Sequence, residues 1–243
     1  MVMEKENYAW VWGSEAPDAP TSVQLSDEQT TALFHTGGSV GCSAVRGPQP
    51  LVKNMEHYFE VQMSPPYHGM ARMIGVGTKF ALMETIGYNF QPLIGRDSNS
   101  WGLNYNGKIR HNGVEENYVD TGDILESSDP LTIGVLYDAH LGIISFQING
   151  KQYGTAFTGI PIMFDIYPMA CSTAGNSSIK LVRSWSEVVS LRCICRAVIR
   201  YQLSDINKVQ LLPLPNDLKA YVLYRDVEWS RYYNRLKGKE TLV

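Results

Sequence analysis

From about Thr21 to Trp185 the chain is a succession of short apolar runs, each closed by glycine, proline, asparagine or aspartate. That punctuation leaves little room for long helices and points to packed β-sheets. Val45 leads into a turn at Gly47-Pro48. His57-Tyr58-Phe59-Glu60-Val61-Gln62-Met63 alternates apolar with polar residues and stops at Pro65-Pro66, the pattern of a strand with one buried face. Arg72-Met73-Ile74-Gly75-Val76-Gly77 reads as a buried strand. Leu131 to Tyr137 and Gly142 to Ile148 flank a turn at Asp138-Ala139-His140-Leu141, and Asn149-Gly150 is a strong hairpin signal. Strands do not alternate with helical stretches, which argues against a doubly wound sheet. The expected fold is mainly β, an antiparallel sandwich.

The period changes after Trp185. Ser186 is a candidate helix cap, with Glu187 favourable in the first turn. Val188, Leu191, Cys195, Val198 and Ile199 then recur at helical spacing. A second short helix is expected from Ser204-Asp205, carrying Ile206, Val209 and Leu212 and stopped by Pro213. A third is expected from Pro215-Asn216-Asp217, with Leu218, Tyr221 and Val222 on one face. These readings divide the chain into an N-terminal segment 1–20, a sandwich 21–185, a small three-helix unit 186–224 and a tail 225–243. Trp10 and Trp12, with Tyr8, are expected to brace the sandwich.

Within the helical unit, Leu191, Cys195 and Ile199 form an i, i+4, i+8 stripe. A small cysteine between two larger aliphatics suits the groove of a partner. Leu212-Pro213-Leu214-Pro215 follows as a stiff, extended segment that fits either a connector or a contact surface.

Composition narrows the function. The net charge of −3 and pI of about 6.0 offer no phosphate-binding field, so nucleic acid is not an expected partner. The polar, acidic start lacks the basic flank and apolar core of a signal peptide, and no apolar run approaches the roughly 18 residues of a membrane span. Cys42, Cys171, Cys193 and Cys195 do not form a zinc pattern and are expected to be free thiols in a reducing compartment. His35, His57, His68, His111 and His140 have no metal spacing. Asp97, Asp120, Asp123 and Asp138 sit among turn residues, where aspartate serves the backbone. Gly75-Val76-Gly77-Thr78-Lys79 lacks the spacing of a phosphate loop. No catalytic residue, metal or cofactor is expected, and the chain is expected to be intracellular, in cytoplasm or nucleus.

Several ordered signals carry a resemblance. They are Ser100-Trp101-Gly102, Gly122-Asp123-Ile124, Ile133 to Ala139, Gly142 to Phe146, Asn149-Gly150-Lys151, Gly154 to Phe157 and Tyr167-Pro168-Met169. Trp101 is expected to fill the core, Gly142 and Gly150 to take turn conformations, and Phe157 and Tyr167 to plug sheet edges. Together with residues 190–224, these resemble a SPRY domain followed by a SOCS box. The resemblance implies a non-catalytic substrate receptor of a cullin-RING ubiquitin ligase that directs targets to ubiquitination and proteasomal degradation. It implies that Leu191, Cys195 and Ile199 bind elongin B/C and that Leu212, Pro213, Leu214 and Pro215 help select cullin 5 with its RING subunit. A stand-alone interaction module with the box as a structural cap is the competing reading.

In relatives of this family, edge loops of the sandwich grip a short Asn-rich peptide. The matching positions here are Gly69, Met70, Leu93, Arg96, Thr173, Ala174 and Gly175. The loop Thr36 to Val40 lacks the relatives' arginine and proline. Met70 replaces a threonine, Arg96 a serine, and Thr173-Ala174 a Val-Trp pair. The resemblance therefore implies the place of a peptide site, with a wider mouth, Arg96 at its rim and a different polar or acidic motif as ligand.

Overall fold

The computed structural model describes residues 10–13, 20–85, 87–122, 129–188, 191–203 and 206–223. Tyr8, Asp123-Ile124, Ser204-Asp205 and the tail 225–243 lie outside them. The chain divides into two units, Met1–Val188 and Val189–Val243.

The first unit is built from β1 (Val23–Ser26), β2 (Thr31–Phe34), β3 (Ser43–Arg46), β4 (Met55–Met63), β5 (Arg72–Thr78), β6 (Ser100–Asn104), β7 (Lys108–His111), β8 (Val114–Asn117), β9 (Leu131–Asp138), β10 (Ile143–Ile148), β11 (Lys151–Phe157), β12 (Ile166–Ser172) and β13 (Ser177–Val188). They form a seven-stranded sheet, β1-β2-β13-β4-β9-β10-β11, and a six-stranded sheet, β3-β12-β5-β6-β7-β8. Every strand pairing is antiparallel. The Asn149-Gly150 turn closes the β10–β11 hairpin, with both residues at positive φ (47° and 77°).

Period-2 alternation sends Phe59, Val61 and Met63 of β4, Ile133 and Val135 of β9, and Ile144 and Phe146 of β10 into one core. Ile74, Val76, Trp101, Leu103 and Ile166 meet them from the six-stranded sheet. Trp12 is fully buried in this core, and Trp10 stacks edge-on against Phe59 at 5.2 Å, so residues 10–13 are part of the sandwich. A second core cluster joins Ala44, Met73, Met169 and Cys171 to Ala81, Met83, Leu93 and Ile94 of the long segment between β5 and β6. Burial on both faces explains why β5 reads as a continuous apolar run.

Three expectations change. The polar face of β4 is also buried: Glu60 accepts two hydrogen bonds from Arg183, at 2.6 and 3.1 Å, and one from Tyr58. A buried carboxylate persists only with such partners. Tyr167 is on β12, flanked by β3 and β5, and so plugs no sheet edge; Arg46 stacks over its ring at 5.0 Å. Phe157 does lie on the edge strand β11. Ser186 caps no helix: β13 runs on to Val188, and Ser186 pairs with His57. The ladder with β4 outweighs the local capping signal.

The second unit holds α1 (Leu191–Gln202), a 3-10 helix (Ile206–Leu211) and α2 (Asn216–Val222). Val209, Tyr221 and Val222 are buried, whereas Leu218 faces outward. The Arg196 guanidinium lies 4.6 Å over the Tyr221 ring. Arg200 donates to the Val222 carbonyl at 2.9 Å, placing a cation at the C-terminal end of α2, where free carbonyls attract it.

Candidate functional site

Each unit carries a candidate surface. In α1, successive residues turn by about 100°, so Leu191, Cys195, Val198, Ile199 and Gln202 share one face while Arg196 and Arg200 occupy the other. Leu191 is 76% exposed, Val198 46%, and Cys195 is exposed; Ile199 is half-buried. Arg196 is only 3% exposed and Arg200 only 7%. Soluble helices ordinarily do the reverse. The apolar stripe is therefore left unused by the unit's own core.

Beyond the 3-10 helix, Leu214 N donates to the Leu212 carbonyl at 2.8 Å, and Lys219 N to the Pro215 carbonyl at 3.0 Å. Pro213 and Pro215 are exposed, and Leu212 and Leu214 are half-buried. Pro215 has extended geometry (φ −54°, ψ 152°) immediately before α2. Leu212-Pro213-Leu214-Pro215 is thus a rigid surface segment.

In the sandwich, the end where β12 finishes and β5 begins gathers five of the seven expected peptide-site residues. Gly69 has φ +86°, and a Cβ on it would meet Thr173 Oγ1 at 2.9 Å and Ala174 Cβ at 3.1 Å. Thr173 Oγ1 accepts from Ala71 N at 3.0 Å, tying the two loops together. The loop 36–40 closes over Gly175, with Ser39 Oγ donating to the Thr173 carbonyl at 2.5 Å. Beneath it, His35 bonds the Ser172 carbonyl at 3.0 Å, and Ser172 Oγ accepts from Ala174 N at 3.0 Å. Thr173 and Ala174 are buried, so the accessible chemistry comes from Gly69, Met70 and Gly175.

The other two residues are placed differently. Leu93 is 2% exposed and packs in the second core cluster. Arg96 is exposed, but its backbone is anchored at the β7–β8 turn, three strands from β12. Gly113 N donates to the Gly95 carbonyl at 2.9 Å, and Asn112 N to the Asp97 carbonyl at 3.0 Å. Arg96 N also donates to the Leu93 carbonyl at 3.1 Å, and its charge acts on the Cys42 thiol just after loop 36–40.

The structure adds a segment to this end. Gly41 bridges Asn89, and Thr85 Oγ1 accepts from Cys42 N at 2.8 Å. This sets the exposed Tyr88 close to the exposed Val40 at the end of loop 36–40. The only sequence signal was an aromatic within the turn-forming Gly87-Tyr88-Asn89, too common a pattern to single out.

Comparison with known proteins agrees with this architecture. The SPRY domain family matches residues 56–183, and the SOCS box family residues 187–223. SPRY domain-containing SOCS box protein 3 of Xenopus tropicalis is 34% identical over 242 residues, covering 97% of this chain and 64% of that protein. The Xenopus laevis protein of the same name is 32% identical over 228 residues, 93% of this chain and 61% of that one. The chain thus spans less than two thirds of the length of either. Protein gustavus of Drosophila melanogaster is 26% identical over 226 residues, 88% of this chain and 79% of that protein. Among solved structures, the TRIM65 PSpry domain superposes with a TM-score of 0.53 at 18% identity, covering 72% of this chain and 89% of that one. Stonustoxin gives 0.51 at 21% identity, covering 71% of this chain and 27% of that one. These two share the fold alone. With a SPRY match over more than half of its length and a SOCS box match directly after it, the chain belongs to the SPRY domain-containing SOCS box protein family.

Proposed function

We propose that the chain is the substrate-recognition subunit of an elongin B/C–cullin 5 RING ubiquitin ligase, with no catalytic chemistry of its own. The sandwich holds a target bearing a short linear motif, and the helical unit docks on the scaffold. Ubiquitin transfer occurs on other subunits, and the target is degraded by the proteasome. One observation carries this reading: α1 turns Leu191, Cys195 and Val198 to solvent while burying Arg196 and Arg200. A helix serving only as a cap would turn its apolar stripe inward, so the inverted helix favours docking over a stand-alone module.

Leu191, Cys195 and Ile199 form the elongin contact, and Leu212, Pro213, Leu214 and Pro215 the cullin contact. The target binds at the sandwich end formed by Gly69, Met70, Gly175 and loop 36–40, with Leu93, Thr173 and Ala174 supporting that surface from beneath. Arg96 stands at its rim. The protein acts inside the cell, in cytoplasm or nucleus, a reading its family membership supports. No helix among the described residues is long and apolar enough to cross a membrane.

Co-expression with elongin B/C tests the reading. The chain should co-elute stoichiometrically with elongin B/C and capture cullin 5, and Cys195→Phe should abolish both by overfilling a tight groove. Co-elution unchanged by Cys195→Phe and Leu191→Ala overturns it.

A further inference from the structure

At the end of the sandwich remote from Gly69 and Thr173, the β5–β12 ladder finishes at Thr78 paired with Ile166. Phe80 lies two residues beyond Thr78, and Phe164 two residues before Ile166, so both emerge from the same end. Phe80 is 65% exposed and Met163 75%; Val52, Ile162 and Phe164 are exposed as well. Isolated exposed apolar residues need no explanation, but a cluster on adjoining loops does.

These loops are held in place. Leu51 N donates to the Ile166 carbonyl at 2.7 Å, and Lys53 Nζ to the Met163 carbonyl at 2.8 Å. His57 Nε2 bonds the Val52 carbonyl at 2.8 Å. The surface is therefore formed before anything binds to it, which lowers the ordering cost of association.

Its rim is cationic. Lys53 and Lys79 border the patch, and Arg46, stacked on Tyr167, donates to the Lys79 carbonyl at 3.1 Å. The acid beside it among the described residues is Asp165, 3.4 Å from Lys53. A second copy of this chain would bring like charges together, and two or three cations are few for an anionic bilayer.

We infer that Val52, Phe80, Ile162, Met163 and Phe164 form a second protein-docking surface for an apolar segment, aromatic or leucine-bearing, flanked by acidic residues. It is separate from the peptide end and independent of the substrate-receptor reading, so either stands if the other fails.

The test uses the full chain with isotope-labelled methionine methyls, because Met163 reports this end and Met70 the other. A short synthetic peptide with a Phe–Leu core and acidic flanks should shift Met163 and leave Met70 unmoved. The same core with lysine flanks should bind about tenfold more weakly, and high salt should narrow that gap. Phe164→Asp should abolish the shift, and Lys79→Glu should weaken it about tenfold with unchanged thermal stability. The inference is overturned by no Met163 shift, by a shift confined to Met70, or by equal binding of both peptides. A Met163 response only to phosphatidylserine vesicles, or only to rising protein concentration, overturns it in favour of a bilayer or a second copy.

Discussion

In β9 and β10 the apolar residues Ile133, Val135, Ile144 and Phe146 are all buried, whereas in α1 the exposed residues include Leu191, Cys195 and Val198 and the buried ones Arg196 and Arg200. The sandwich is large enough to enclose two core clusters. The helical unit has short elements and leaves an apolar stripe outside. Burial in the first region serves the fold. Exposure in the second costs solvation unless a partner covers it, and the proposed docking role rests on that contrast.

The sharpest way to separate the regions is to remove apolar volume from each. Phe59→Ala should cost about 3–5 kcal/mol in denaturant unfolding, by lost burial plus a cavity. Leu191→Ala and Cys195→Phe should change stability by no more than about 0.5 kcal/mol yet lose elongin B/C in co-elution. Equal destabilisation in both regions would remove the contrast. Gly142→Ala comes next: at φ +65° its Cβ would lie 2.2 Å from the Ile160 carbonyl, and the strain should cost about 2–3 kcal/mol in thermal unfolding. Arg200→Met tests the inverted helix from within. It removes the bond to the Val222 carbonyl and should cost about 1–2 kcal/mol, read as earlier amide exchange in α2 with the sandwich unchanged.

The smallest effect concerns pH. Burial holds the His57 imidazole below its ordinary value of 6.5. The Val52 carbonyl can only accept, so Nε2 carries the proton, and neutral Nδ1 accepts from Ser186 Oγ at 2.7 Å. A base depressed on folding contributes stability above its unfolded pKa and loses it as pH falls. Sandwich stability should therefore decline below about pH 6.5, and His57→Gln should flatten that decline in urea titrations at pH 7 and pH 5.

Strand existence was legible where alternation and turn chemistry agreed, as in β9, β10 and the Asn149-Gly150 hairpin. The helical stripe was legible from the spacing of Leu191, Cys195 and Ile199. Ser186 misled because a cap is a local preference, while the β4–β13 ladder is decided by residues more than a hundred positions away. The same limit applied to Arg96. The resemblance, not any local signal, put it at the rim of the peptide site, and the segment around it is tied to the β7–β8 turn by residues more than a dozen positions on.

The sequence by itself determined the strand and helix periods, the turn positions, the family motifs and the order of a SPRY-like sandwich before a SOCS-like box. These depend on neighbours a few residues apart and on the chemistry of single side chains. Tertiary structure alone decided which faces stay uncovered: that α1 shows Leu191 and hides Arg196, that Leu93 lies in the core, and that the loops bearing Val52, Phe80 and Met163 emerge at one end. Exposure depends on what the rest of the chain lays over a residue, and periodicity carries no record of that.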